Sequence, residues 1–140
     1  MSKKSIINKI KTFEDACIIA GVNPVLFNKH CLDCYYPEHI IAELKLELII
    51  QIINQGWKPN WDDKNQYKWY PYFNMAGGFA FVDTHFDYDN AHADVGSRLC
   101  FKTESDAKYV GKQFEYLYKI FLSYQNQIKR NTLFEKFKEK

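Results

Sequence analysis

The chain has 140 residues, 46% hydrophobic and 26% charged, as expected of one soluble globular domain large enough to bury a core. Its net charge of +2 is too small to imply nucleic acid by itself, and its most apolar run, 40–53, is too short and too charged (Glu43, Lys45, Glu47) to span a bilayer. The opening SKKSIINKIK has no apolar run behind it, so no signal peptide is expected and the four cysteines are expected as free thiols in a reducing cytoplasm.

Residues 1–11 read as a basic arm or a first helical turn, carrying Lys3, Lys4, Lys9 and Lys11. Thr12, with Asp15 three residues on, has the pattern of a capping box opening a short helix that stops at Gly21. Phe13, Ala16, Cys17, Ile19 and Ala20 are its expected buried side, and residues 22–36 read as a linker. Pro37 suits the first position of a long helix, PEHIIAELKLELIIQIINQ, closed by Gly56. Ile40, Ile41, Leu44, Leu48 and Ile52 form its main stripe, widened by Leu46, Ile49, Ile50 and Ile53. Glu43, Glu47, Gln51 and Asn54 mark a narrow solvent face.

Trp57 and Trp61 bracket a turn, 62–66 is a polar loop, and 67–73 begins the strands, with Pro71 pointing to an edge or a bulge. Gly77 and Gly78 turn the chain into FAFVDTHFDYD, whose alternation places Ala80, Val82, Thr84, Phe86 and Tyr88 on one face. Phe79, Phe81, Asp83, His85, Asp87 and Asp89 fall on the other. A loop over 90–96 returns to a strand over 98–102, with Leu99 and Phe101 on one side. Thr103 then caps a long helix whose buried face is Ala107, Val110, Phe114, Leu117, Tyr118 and Phe121, and whose Gly111 allows close packing. Residues 126–140 are a basic tail with helical potential. These elements predict one α+β domain over 1–140. Its small antiparallel three-stranded sheet packs against a long C-terminal helix and a central apolar helix.

Three segments in order, KIKTFEDACIIAGV, INQGWKPNWDDKNQYKWYPYF and VGSRLCFKTESDAKYVGKQF, cover well over half the chain. Their pattern resembles a family of small proteins from phages and prophages of Bacteroidetes, including crAss-like phages. The resemblance implies a phage source and the cytoplasm of a bacterial host, and it assigns no catalytic residue.

Several constellations carry possible chemistry. The stretch 57–73 sets Trp57, Trp61, Tyr67, Trp69 and Tyr72 among Lys58, Lys64 and Lys68. Such rings stack on bases at roughly 1–3 kcal/mol each, form protein hot spots, line a small-ligand pocket, or simply wall the core. Arg98, beside Gly96, is placed to grip a phosphate or carboxylate, or to pair with Asp94. Cys31, Cys34 and His39 have the spacing of three zinc-knuckle ligands, with His30 or Cys17 as a substitute fourth; the alternative is that they carry no metal. Asp83, His85, Asp87 and Asp89 share a strand face, with His92 and Asp94 beyond, and suit Mg²⁺ or Mn²⁺, or else the exposed face of a hairpin. Ser97 with His85 or His92 lacks the local signature of a nucleophile. No cofactor is required by these residues. Charge is uneven: 83–106 sets Asp83, Asp87, Asp89, Asp94, Glu104 and Asp106 against Arg98 and Lys102, between two basic ends. The expectation is a non-catalytic phage accessory protein binding a host protein or small ligand, with counter-defence as a role. A single-stranded nucleic-acid module using 57–73 and the basic ends, and a virion or assembly component, are the alternatives.

Overall fold

The structure, a computed structural model, describes residues 2–87 and 93–124. Among these residues, six helices and two strands follow the order α1 (Lys3–Lys9), α2 (Phe13–Ala20), α3 (Pro24–Asp33), α4 (Glu38–Asn54), β1 (Lys68–Asn74), β2 (Ala80–Asp87), α5 (Glu104–Gln113) and α6 (Glu115–Leu122). The domain is α+β, and no helix among the described residues is long and apolar enough to cross a membrane.

The Thr-x-x-Asp pattern occurs twice and is used differently each time. At α2 the box closes: Thr12 Oγ1 accepts from the Asp15 amide and Asp15 Oδ2 accepts from the Thr12 amide. At α5, Thr103 Oγ1 accepts from the Asp106 amide, but the Asp106 carboxylate turns inward to Lys3 Nζ at 3.0 Å. Lys3 also donates to the Ile53 carbonyl at the end of α4. The basic N-terminus is therefore a helix that ties α4 to α5.

Residues 22–36 are not a linker. Asn23 Oδ1 accepts from the amides of Val25 and Leu26, and Pro24 occupies the first turn of α3. Asparagine followed by proline is a helix-start signal that could have been read. In α4 the buried positions are Ala42, Leu46, Ile49, Ile50 and Ile53, while Ile40, Ile41, Leu44, Leu48 and Ile52 are only partly buried. The stripe is rotated from the expected one because α1, α2 and α6 all pack on this helix. Asn54, expected in solvent, is buried: its Nδ2 donates to the Cys100 carbonyl at 3.0 Å, and its Oδ1 accepts from the Lys102 amide.

Among the described residues the sheet has two strands rather than the three expected. β1 and β2 pair antiparallel, and the segment expected as a third strand reduces to one bridge, where Trp69 and Phe101 exchange both backbone hydrogen bonds. The next rung on that edge would need an N–H from residue 71, which is Pro71, so the ladder stops. A register shift lies between Tyr72 and Phe73, where Tyr72 faces Asp83 but Phe73 faces Phe81, which leaves Val82 as the extra residue. The bulge reverses the alternation in β2. Phe81, expected beside Asp83, instead packs on the helix side.

The long C-terminal helix is broken at Phe114, whose backbone (φ −113°, ψ 29°) separates α5 from α6. α5 lies on the hairpin and α6 lies on α4, so the two halves follow different surfaces. Gly111 permits the first contact: a β-carbon there would stand 2.6 Å from Pro71 Cβ and 2.7 Å from Phe81 Cε2. The expected buried face is confirmed at Ala107, Val110, Phe114, Leu117 and Tyr118, with Phe121 packed against the core. The basic tail from 126 lies outside the described residues.

Candidate binding face

The hairpin divides the aromatic stretch 57–73 between two sides. Strand alternation puts Trp69 and Pro71 toward α5, and Lys68, Tyr70 and Tyr72 on the outer face opposite Asp87, His85 and Asp83. Tyr67 stacks on Phe86 at 4.5 Å between ring centroids, and Trp69 contacts both rings. The rings therefore do not form one continuous stacking platform.

One end of the outer face is roofed by loops. Lys68 is completely buried, donating to the Asp63 carbonyl at 3.0 Å, with its ammonium 5.2 Å from the centroid of Trp61. The Trp61 indole N–H donates to Ser97 Oγ at 2.7 Å, which commits that hydroxyl to a structural contact. Cys100 lies beneath, and burial pushes its thiol up to about 12. The Tyr70 hydroxyl donates to Asp94 Oδ2 at 2.5 Å, and the Asp94 amide donates to Asp87 Oδ2 at 2.8 Å. Burial, with Asp94 close by, raises the Asp87 carboxyl above the usual aspartate range. These bonds pin the 93–100 segment onto the hairpin.

The other end is open. Tyr72 is 55% exposed and Val82 57%, and both stand beside exposed Asp83 and His85. The Tyr72 and His85 rings meet edge to face at 6.1 Å. Lys108 reaches Asp83 only at 4.0 Å, a weak exposed pair. The Phe81 amide donates to Glu115 and the Thr84 amide to Asp83, so this edge of β2 does not offer a full row of free donors to an incoming strand. What the face presents is side chains: two rings, one aliphatic group and a negative border.

The remaining expected site residues are scattered. Trp57 is half-buried in the turn after α4. Arg98 pairs with Glu47 of α4 at 3.5 Å rather than with Asp94. Asp83, His85 and Asp87 do share the outer face, but Asp87 is bound into the Asp94 contact, and Asp89 and His92 lie outside the described residues. Cys31 is buried and Cys17 belongs to the core, whereas His30 and Cys34 are exposed, with Cys34 Sγ 3.6 Å from His30 Nε2. The knuckle order is lost because Cys31 is buried in the last turn of α3, Cys34 is its exposed C-cap, and His39 stands in the first turn of α4. Among the described residues, no three His, Cys, Asp or Glu side chains gather as a metal site.

Neither a family model, nor a curated protein, nor a solved structure matches the chain.

Proposed function

We propose that the protein is a non-catalytic binding module that captures a host protein through the open end of the outer hairpin face. The observation that carries this reading is the exposure of Tyr72, Val82 and His85 on a hydrogen-bonded ladder whose other end is anchored by Lys68, Tyr70 and Asp94. Rings held on a rigid element lose little entropy on binding, which is what a hot spot requires. The carboxylates of Asp83, Asp87 and Asp94 favour a basic protein surface and repel phosphates, so the protein partner ranks above single-stranded nucleic acid at this face. The phage resemblance of the sequence supports an accessory role in a bacterial host, with counter-defence as the function such capture would serve.

The test is affinity capture from host lysate with the native chain and with a Tyr72→Ser, Asp83→Lys variant of equal thermal stability. We expect one stoichiometric protein on the native chain, lost on the variant and insensitive to nuclease. Equal capture by both chains refutes the assignment of the face. Recovery of nucleic acid that is released steeply by salt favours the nucleic-acid reading instead.

A further inference from the structure

The end of helix α3 holds two cysteines and a strained turn, none of which the hairpin face uses. Tyr35 has a left-handed backbone there (φ 55°), a conformation that favours glycine and is costly for a bulky side chain. It closes the helix: the Tyr36 amide donates to the Cys31 carbonyl at 3.1 Å, and the Tyr35 amide to the Leu32 carbonyl at 3.1 Å. Cys31 and Cys34 bracket this closing turn. The carbonyl of Cys31 accepts the last bond, and Cys34 is the C-cap just before the reversal.

Their exposure divides two roles. Cys34 is exposed, and its sulfur lies 3.6 Å from His30 Nε2, within hydrogen-bond range for a thiol. His30 is the group placed to take the Cys34 proton, because the carboxylate of Asp33 is engaged by Lys29 at 2.5 Å. Cys31 is 1% exposed, and burial raises its thiol above the ordinary cysteine value. An external reagent therefore meets Cys34 first. Three helical residues set the two Cα atoms about 5 Å apart and about 60° apart around the axis, inside the Cα span of roughly 4.4–6.8 Å that a disulfide bridges. Both residues are free thiols in this structure. An accessible thiol poised beside a second, resolving thiol is the arrangement that oxidises reversibly.

We propose that Cys31 and Cys34 are a redox-active dithiol whose substrates are the disulfides of small thiol compounds. Cys34 Sγ gives its proton to His30 Nε2 and attacks one sulfur of the substrate, whose S–S bond breaks. The departing thiolate takes up that proton and leaves Cys34 in a mixed disulfide. Cys31 then loses its proton and attacks Cys34 Sγ, and the second substrate thiolate leaves with that proton. The two cysteines are oxidised, and the substrate is reduced to two thiols. The new bond ties the last turn of α3 across the strained cap at Tyr35.

The test incubates the full chain, reduced, with oxidised glutathione and maps its thiols by alkylation and peptide mass spectrometry. The expected product lacks two hydrogens, carries a Cys31–Cys34 disulfide, and returns to the starting mass with dithiothreitol. Cys17 and Cys100 should stay open to alkylation once the chain is unfolded. Cys34→Ser should lose both the disulfide and the glutathione adduct, and Cys31→Ala should stop at a stable adduct on Cys34. His30→Ala should slow the first step in the folded chain and leave the rate in denaturant unchanged, which separates proton transfer from simple accessibility. Amide exchange at Tyr36 should slow on oxidation, because its acceptor belongs to a tied residue. A lasting adduct on Cys34 of the native sequence, pairing of Cys34 with Cys17, Cys100 or another chain, or no loss of thiols would each overturn the proposal. Unchanged exchange at Tyr36 in the oxidised chain would overturn the tie across the cap.

Discussion

At the scale of single residues, two buried groups carry measurable consequences. The Tyr118 hydroxyl is buried with no hydrogen-bond partner among the described residues, and burial raises its ionisation well above the ordinary tyrosine value. Desolvating an unpaired hydroxyl costs about 1–3 kcal/mol, whereas its ring contact with Phe73 at 4.7 Å needs no oxygen. Tyr118→Phe should therefore leave the melting temperature unchanged or raise it; a clear fall would reveal a partner for that hydroxyl. Asp87 is the second case. Its raised carboxyl favours the protonated form in the folded state, so its contribution is fully present below the unfolded value and is lost as pH rises through the folded value. Asp87→Asn keeps an oxygen to accept from the Asp94 amide and removes the charge. It should stabilise the protein at neutral pH and lose that advantage at pH values below the aspartate range, as melts across pH would show.

Elements raise a different question, that of which contacts fix their placement. Gly111 sits where α5 meets the hairpin, and alanine there gains about 1 kcal/mol of helix propensity but drives a methyl into the Pro71 Cβ. Overpacking of this kind costs about 1–3 kcal/mol, and Pro71 belongs to a strand with little room to yield, so Gly111→Ala should destabilise on balance. A chemical-denaturation midpoint equal to that of the native chain would contradict the close approach. Lys3 joins α1, α4 and α5, and its partner Asp106 is 1% exposed. Lys3→Met leaves that carboxylate buried and unpaired, with an expected loss of the order of 3 kcal/mol. A loss below about 1 kcal/mol would make α1 an ornament rather than a clamp.

These same elements show what could be read beforehand. The caps of α2 and α5, the extent of α4 and the buried face around Phe114 follow from short-range spacing, and all were legible. The misses are long-range. Asn54 looks like a solvent residue until Cys100 and Lys102 arrive to occupy its amide. The single rung at Phe101 depends on the register that brings Pro71 opposite the returning chain. The flipped side of Phe81 depends on a bulge that no alternation pattern contains. Tyr72 reaches solvent on the outer face, but Trp61 and Trp69 serve the fold, so replacing them would test packing before recognition.

For the whole molecule, the described structure combines a helical core, built on α4 and α6, with a hairpin held above α5 and roofed at one end. Exposed apolar groups stand at the open hairpin end (Tyr72, Val82), on α3 (Val25, Leu26, Leu32) and along α6 (Tyr116, Leu122). Asp83, Asp87 and Asp94 border the outer hairpin face, while the lysines of α1 lie in another element. We propose the open hairpin end as the recognising surface. The most direct measurement is hydrogen–deuterium exchange on the chain alone and in complex with the protein it captures. We expect new protection confined to peptides spanning 72–75 and 80–85, with 24–36 unchanged. Protection on 24–36, or none on the hairpin, would refute that assignment.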